Sequence, residues 1–224
     1  MRALVLQHDD EAPLGTIAGA FDRHGVDVDL YRADRVHASS VSEATTARPN
    51  LIVVLGAAES VLRARRAPWY LAVQALLRDA HESDLAVLGV CFGAQALADT
   101  FGGAVYHLAR PEVGWTMVRT SEPDVVPPGP WLNFHTDAVV PPPGASIIAA
   151  SDDCVQAYRL GRHLAVQFHP EVTTATVERW LDWLRPSLEA AGVDGAALLD
   201  VARGDEAAIA ARCDALVGAF LGAL

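Results

Sequence analysis

Lysine is missing from this chain, and all seventeen of its basic residues are arginine. Without lysine there is no phosphate loop of the Walker type, whose lysine contacts the phosphates, and no amine to form a Schiff base. Any ATP-driven step is therefore expected on another chain. Cysteine is scarce: three residues without paired spacing exclude a disulfide scaffold and fit a reducing compartment. Basic charge is outnumbered, and a net charge of −11 argues against nucleic acid or an anionic membrane surface as partner. Long apolar runs are missing too. Met1–Gln7 is far too short for a leader or a membrane span, and His8-Asp9-Asp10-Glu11 ends it. The eight histidines are scattered without a spacing such as His-x-x-x-His, so neither a metal nor another cofactor is expected. A soluble, cytoplasmic protein is the expectation.

What is present is an alternation of short apolar runs and helical patterns. Arg2–Gln7, Val26–Arg32, Asn50–Leu55 and Leu85–Val90 read as strands, with helices over Leu14–His24 and Pro68–His81. Pro68 suits a first helical turn, where its missing N–H costs nothing. The alternation predicts an α/β fold: a mostly parallel open sheet with helices on both faces. From Ala104 to Ala157, short strands between proline-rich turns predict a small antiparallel extension. His163–Phe168 reads as a strand returning to the main sheet. Beyond it, Val177, Trp180, Leu181 and Leu184 share one helix face, and Ile209, Leu216, Val217 and Phe220 share another. The length suits a single domain over 1–224, with a core over about 1–184 and a helical tail over about 185–224. The tail reads as a packed cap, or as a surface for a homodimer or another partner.

Chemistry concentrates in two places. Gly89-Val90-Cys91-Phe92-Gly93 joins a buried strand to the helix former run Ala94-Gln95-Ala96-Leu97-Ala98. A Gly-x-nucleophile-x-Gly at such a junction is an elbow that lifts its central side chain above the sheet edge. The helix N-terminus there favours thiolate over thiol. Downstream, His163–Phe168 ends in His169-Pro170-Glu171. Pro170 keeps His169 extended, and in extended chain residues two apart face the same side. Glu171 can thus orient the His169 imidazole beside an activated thiol, the arrangement that nucleophilic catalysis requires.

Gly89-Val90-Cys91-Phe92-Gly93-Ala94-Gln95 together with Gln167-Phe168-His169-Pro170-Glu171 resembles the triad-type, class I glutamine amidotransferase domain. Leu55-Gly56-Ala57-Ala58-Glu59-Ser60 resembles its oxyanion loop, and Glu112-Val113-Gly114-Trp115 its Glu-x-Gly-Trp stretch. Asn133–Val139 with Pro143-Gly144 resembles the His-x-Asp and Pro-Gly region of domains like that of GMP synthase. The likeness runs from about Met1 to about Trp183. It implies that Cys91 attacks the glutamine side-chain amide to give a γ-glutamyl thioester, with His169 moving the proton and Glu171 orienting it. It implies an oxyanion hole from the backbone N–H groups of Phe92 and Ala57. It implies a substrate pocket formed by Gly56, Gln95, Phe134 and Thr136. Where the family usually has Gly-Gly-Pro, this chain has Gly56-Ala57-Ala58; alanine carries a steric cost wherever positive φ is required. The loop is therefore expected to turn its peptide differently, or to need a partner or substrate to organise it.

Three readings follow. One is a glutaminase that hands ammonia to a separate synthetase chain; the second is a free-standing hydrolase of γ-glutamyl peptides or conjugates. The third, a non-catalytic binding protein, is opposed by the intact Cys91, His169 and Glu171. Blander roles fall to the remaining candidates. Cys213 reads as core, Cys154 as a strand residue, and Asp152-Asp153 as a turn. Arg63, Arg65 and Arg66 read as a solvated helix face, and His135 and Asp137 stay open between pocket and structural roles. The expected outcome is that Cys91→Ser removes turnover by about 10⁴-fold or more while the chain still folds. Cys213→Ser should cost only stability, as read by steady-state assay and urea titration.

Overall fold

The computed structural model describes residues 1–33, 48–190 and 192–224. Its centre is a nine-stranded sheet. One half is parallel: β1 (Arg2–Gln7), β2 (Asp27–Arg32), β3 (Leu51–Val54), β4 (Ala86–Val90) and β9 (His163–Val166) lie in the order β2, β1, β3, β4, β9. The other half continues from β9 through the antiparallel β8 (Val155–Leu160), β7 (Ser146–Ala150), β5 (Ala104–Thr120) and β6 (Gly129–Val140). The helices are α1 (Gly15–Arg23), α2 (Val61–Ala64), α3 (Pro68–Glu82), α4 (Phe92–Thr100), α5 (Thr174–Trp183), α6 (Arg185–Ala190), α7 (Gly195–Gly204) and α8 (Glu206–Gly222). Among the described residues no helix is long and apolar enough to cross a membrane.

Period-two alternation sorts the strand residues onto two buried faces. Val5, Val53, Leu88 and Val90 point to one side, where Ile17 and Phe21 of α1 meet Leu216, Val217 and Phe220 of α8. Leu4, Leu6, Ile52, Val54 and Val87 point to the other, against Tyr70, Val73 and Leu77 of α3 and Leu97 of α4. Each such side chain contributes about 1.5–3 kcal/mol by leaving water. The continuous apolar runs of β3 and β4 follow from this two-sided burial. A third cluster joins Val177 and Trp180 of α5 to Ala202, Ile209 and Leu132. The C-terminal segment is thereby woven into the packing: α8 closes one face of the main sheet, and Cys213 sits in that core, fully buried.

The antiparallel half departs from the expected series of short strands. β5 runs for 17 residues and β6 for 12, paired along most of their length. Two prolines lie inside these strands without breaking them. Pro111 falls where the register shifts between His107 and Glu112, so its missing N–H lies at an irregularity; Pro130 sits one residue into β6. Pro127-Pro128 occupies the turn between them.

The crossing of β4 into α4 depends on two glycines. A Cβ on Gly93 would lie 2.0 Å from the Val54 carbonyl oxygen, and one on Gly89 would lie 2.7 Å from the backbone of Gly93. Both neighbours are backbone, so neither contact can be relieved by a rotamer change. Gly93→Ala should cost about 1–3 kcal/mol of stability. It should also displace α4, read as a lower urea midpoint together with slower alkylation of Cys91.

Candidate active site

The site forms at the carboxyl ends of β1, β3, β4 and β9, where open α/β sheets bind ligands. β4 and β9 are neighbours in register, Val90 opposite Val166, so the residues that follow them emerge side by side. Cys91 is the turn residue between β4 and α4, with φ 49° and ψ −102°. This conformation is costly for a residue with a Cβ, about 1–3 kcal/mol. It is held by the Cys91 N–H donating to the Val166 carbonyl at 2.8 Å, and by Gln95 N–H donating back to the Cys91 carbonyl at 3.1 Å.

Three residues beyond the end of β9, His169 Nδ1 lies 2.7 Å from Glu171 Oε1. The pair is almost dry, with 5% and 1% of the side chains exposed. The chain around it is clamped: His169 N–H donates to the Leu132 carbonyl at 2.8 Å, and Thr16 N–H donates to the Glu171 carbonyl at 2.8 Å. Gly15 permits that clamp, with φ +51° and a Cβ position only 1.8 Å from the Glu171 carbonyl oxygen. Burial alone would lower the His169 pKa. The charges of Glu171 and then Cys91 overcome this and push it up to about 10. The buried Nε2 forms no hydrogen bond of regular geometry. Gly56 stands at this point of the site: a Cβ there would come within 3.3 Å of His169 Cε1 and 3.8 Å of Cys91 Cβ.

The other expected site residues border one cavity of about 280 Å³ that also contains Cys91 and His169. Ala57, Phe92, Gln95, Phe134 and Thr136 all line it. Gln95 Nε2 donates to the Asp137 carbonyl at 3.1 Å and toward Gln167 Oε1 at 3.3 Å. Among the described non-glycine residues, positive φ occurs at Arg48, Asp84 and Cys91, not at Ala57 or Ala58. The steric cost expected for alanine in this loop therefore does not arise. The loop is organised within the chain: Asp9 Oδ2 accepts the Ala58 N–H at 3.0 Å, while Asp9 Oδ1 accepts the N–H groups of Glu11 and Ala12.

Several groups of the site are not legible from the sequence alone. Gln167 Nε2 points at Cys91 Sγ, 3.6 Å away, although it stands in the motif itself. Trp180 packs edge-on against the His169 ring at 4.7 Å, a contact that sequence spacing does not signal. His135 and Asp137 both line the cavity, and each is tied down as well. His135 Nδ1 meets the Asp137 carbonyl at 2.9 Å, and its Nε2 lies 3.1 Å from Glu112 Oε2. The Asp137 carboxylate accepts from Ser60 Oγ and pairs with His107. Glu112, His135 and Cys154 bring one ligand atom each within 4.8 Å of one another, a grouping invisible in the scattered histidine spacing. Cys154, expected in a strand, lies in the bend just before β8, and its Sγ meets Glu112 Oε2 at 3.3 Å. Burial and the Glu112 charge push its thiol up to about 12. Burial tends to raise Glu112 too, but donors led by His135 hold it below its ordinary value. These charges and hydrogen bonds answer one another, so the cluster braces β5, β6 and the turn before β8. Cys213 has no comparable role, and burial pushes its thiol up to about 12.

The profile of the family described as glutamine amidotransferase class-I matches residues 15–181. The chain belongs to that family. Its relatives include GMP synthase (glutamine-hydrolysing) of Thermus thermophilus, 36% identical over 126 residues, which are 50% of this chain and 23% of that one. One subunit of the same-named enzyme of Sulfurisphaera tokodaii is 40% identical over 94 residues, 38% of this chain and 50% of the other. The chain thus spans half or less of the curated relatives it matches. In fold it is similar to a glutamine amidotransferase of Thermotoga maritima, with a TM-score of 0.85 at 23% identity, covering 98% of this chain and 97% of the other. A glutamine amidotransferase of Methylobacillus flagellatus aligns with the same TM-score of 0.85 at 22% identity, over 100% of this chain and 95% of that one. The matched region includes the elbow, the His169–Glu171 pair and the loop after β3.

The raised His169 pKa links the site to stability. The folded state holds this proton more tightly than the unfolded chain, whose histidine titrates near 6.5. The contribution is fully present below about pH 6.5 and is lost as pH rises toward about 10. Urea titrations at pH 6, 8 and 10 should show the stability difference between wild type and His169→Gln shrinking as pH rises.

Proposed function

We propose that this chain hydrolyses the side-chain amide of glutamine through a γ-glutamyl thioester on Cys91. The observation that carries the reading is the buried His169–Glu171 pair in one cavity with the strained Cys91. In this scheme the Cys91 thiolate attacks the amide carbon and a C–S bond forms. The amide oxygen becomes an oxyanion and is proposed to be met by the backbone N–H groups of Phe92 and Ala57. His169, holding the thiol proton, delivers it to the amide nitrogen; the C–N bond breaks and ammonia leaves. Water, deprotonated by His169, then opens the thioester to glutamate and restores the thiol. Glu171 keeps the imidazole turned toward the sulfur and favours its charged form throughout. Gln95 and the backbone at Phe134 and Thr136 hold the α-substituents, and Gly56 leaves room for the reacting carbon. The lysine-free chain supplies no Walker loop, and one relative is a named subunit of GMP synthase. Ammonia is accordingly proposed to pass to an acceptor enzyme on a separate polypeptide, with no cofactor used in the hydrolysis itself.

One observation favours a second substrate for the same chemistry. Trp183, Leu184 and Leu188 line the same cavity as Cys91 and His169 and give it an apolar wall that glutamine itself does not need. That wall supports a γ-glutamyl conjugate as the second reading. Purified chain incubated with glutamine should release glutamate, and Cys91→Ser should not. Glutamine hydrolysis unchanged in Cys91→Ser would overturn the scheme.

A further inference from the structure

The substrate carbonyl at Cys91 has three substituents to accommodate, and the proposed scheme gives each its own direction. The oxygen faces the backbone of Ala57 and Phe92. The glutamyl chain runs toward Gln95 and Asp137. The nitrogen faces His169, which must protonate it. What lies beyond His169 therefore decides which amines can leave, and that region is aromatic and aliphatic. Trp180 packs on the His169 ring, and its position is fixed: its indole N–H donates to the Glu11 carbonyl at 2.6 Å, and its ring packs against Phe134. Trp183, Leu184 and Leu188 continue the wall along α5 and α6. Trp183 is 49% exposed, a large area of indole left facing the cavity and solvent. Ammonia has no use for such a wall.

Charge narrows the class further. Each basic side chain lining the cavity already faces a carboxylate: Arg63 with Glu59, His107 with Asp137, His135 with Glu112, and His169 with Glu171. The charged group beside Trp180 is Glu11, itself engaged with Arg179 at 3.5 Å. A leaving amino acid would bring its carboxylate to a wall that offers no unengaged cation among the described residues. An amine without that carboxylate meets no such obstacle.

We propose that the wall formed by Trp180, Trp183, Leu184 and Leu188 is a leaving-group subsite for an apolar, ring-bearing amine, making γ-glutamyl amides of aryl-alkyl amines better substrates than glutamine. The proposal rests on the Cys91 chemistry above and adds no new step. The C–S bond forms, the C–N bond breaks, the amine departs with the proton from His169, and water releases glutamate. No oxidant or reductant is involved.

The test compares kcat/KM for γ-glutamyl benzylamide, glutamine and γ-glutamylglycine with the full chain. Benzylamide should exceed glutamine by about tenfold, the usual worth of one good apolar contact, with γ-glutamylglycine the poorest conjugate. Trp183→Ala, checked for folding by circular dichroism, should lower the benzylamide-to-glutamine ratio about tenfold. Glutamine turnover with a benzylamide value no higher, or a ratio unmoved in Trp183→Ala, would overturn the subsite and leave the hydrolase reading standing. Cys91-independent turnover, or none of any substrate, would overturn both together.

Discussion

The backbone of Cys91 is the constraint on which the rest of the site depends. A side chain held at φ 49° and ψ −102° sits in a conformation that only surrounding structure can maintain. Here the maintenance comes from β9, through the bond from Cys91 N–H to Val166, and from the two glycines that let β4, β3 and α4 approach closely. The same neighbour strand that holds the elbow also carries His169. The cost of the strained residue and the placement of its base are therefore met by a single strand pairing, β4 with β9. Loss of that pairing would separate thiol from imidazole.

A second layer of restraint keeps the histidine in place. α1 grips the Glu171 carbonyl, β6 grips the His169 N–H, and Trp180 closes the ring edge. These come from segments far apart in sequence: α1 is anchored in one core cluster, and Leu132 and Trp180 in another. A dry ion pair is expensive to build, because both charges give up water. The offset here is geometric: one short hydrogen bond within the pair, and an imidazole whose charge also meets the sulfur. The raised pKa is the electrostatic trace of that arrangement.

The polar floor beneath the cavity follows the same logic. Glu112, His135 and Gln156 link β5, β6 and β8 by hydrogen bonds, while Gln95 connects the Asp137 carbonyl to Gln167 and so to Cys91. These bonds brace the floor, although Glu112 Oε1 and Gln156 Oε1 stay buried without a partner. The wall beside His169 is of a different kind, apolar and partly exposed, and shaped by helices that follow Glu171.

Much of this was fixed by local sequence. The Gly89–Gly93 pattern marks a strand-to-helix elbow because only glycine tolerates backbone at 2.0–2.7 Å from its Cβ position, and the structure places one there. Pro170 keeps His169 out of helical backbone, but Pro170 and Glu171 themselves lie in a turn rather than in extended chain, so the bonds from Leu132 and Thr16 are what hold the two side chains together. The parallel strands were legible because two-sided burial leaves continuous apolar runs. Other features depended on tertiary contact. Asp9 organises the loop at Ala57-Ala58 from 49 residues away, and nothing at either position announces the other. Glu112, His135 and Cys154 meet only because β5 and β6 pair and the turn before β8 folds onto them. Trp180 reads in sequence as one more apolar residue on a helix face; that it borders the His169 imidazole was decided by how α5 packs. Sequence determines what a short stretch of backbone can do, since its sterics are local, whereas the shape and charge of a cavity belong to surfaces that distant segments bring together.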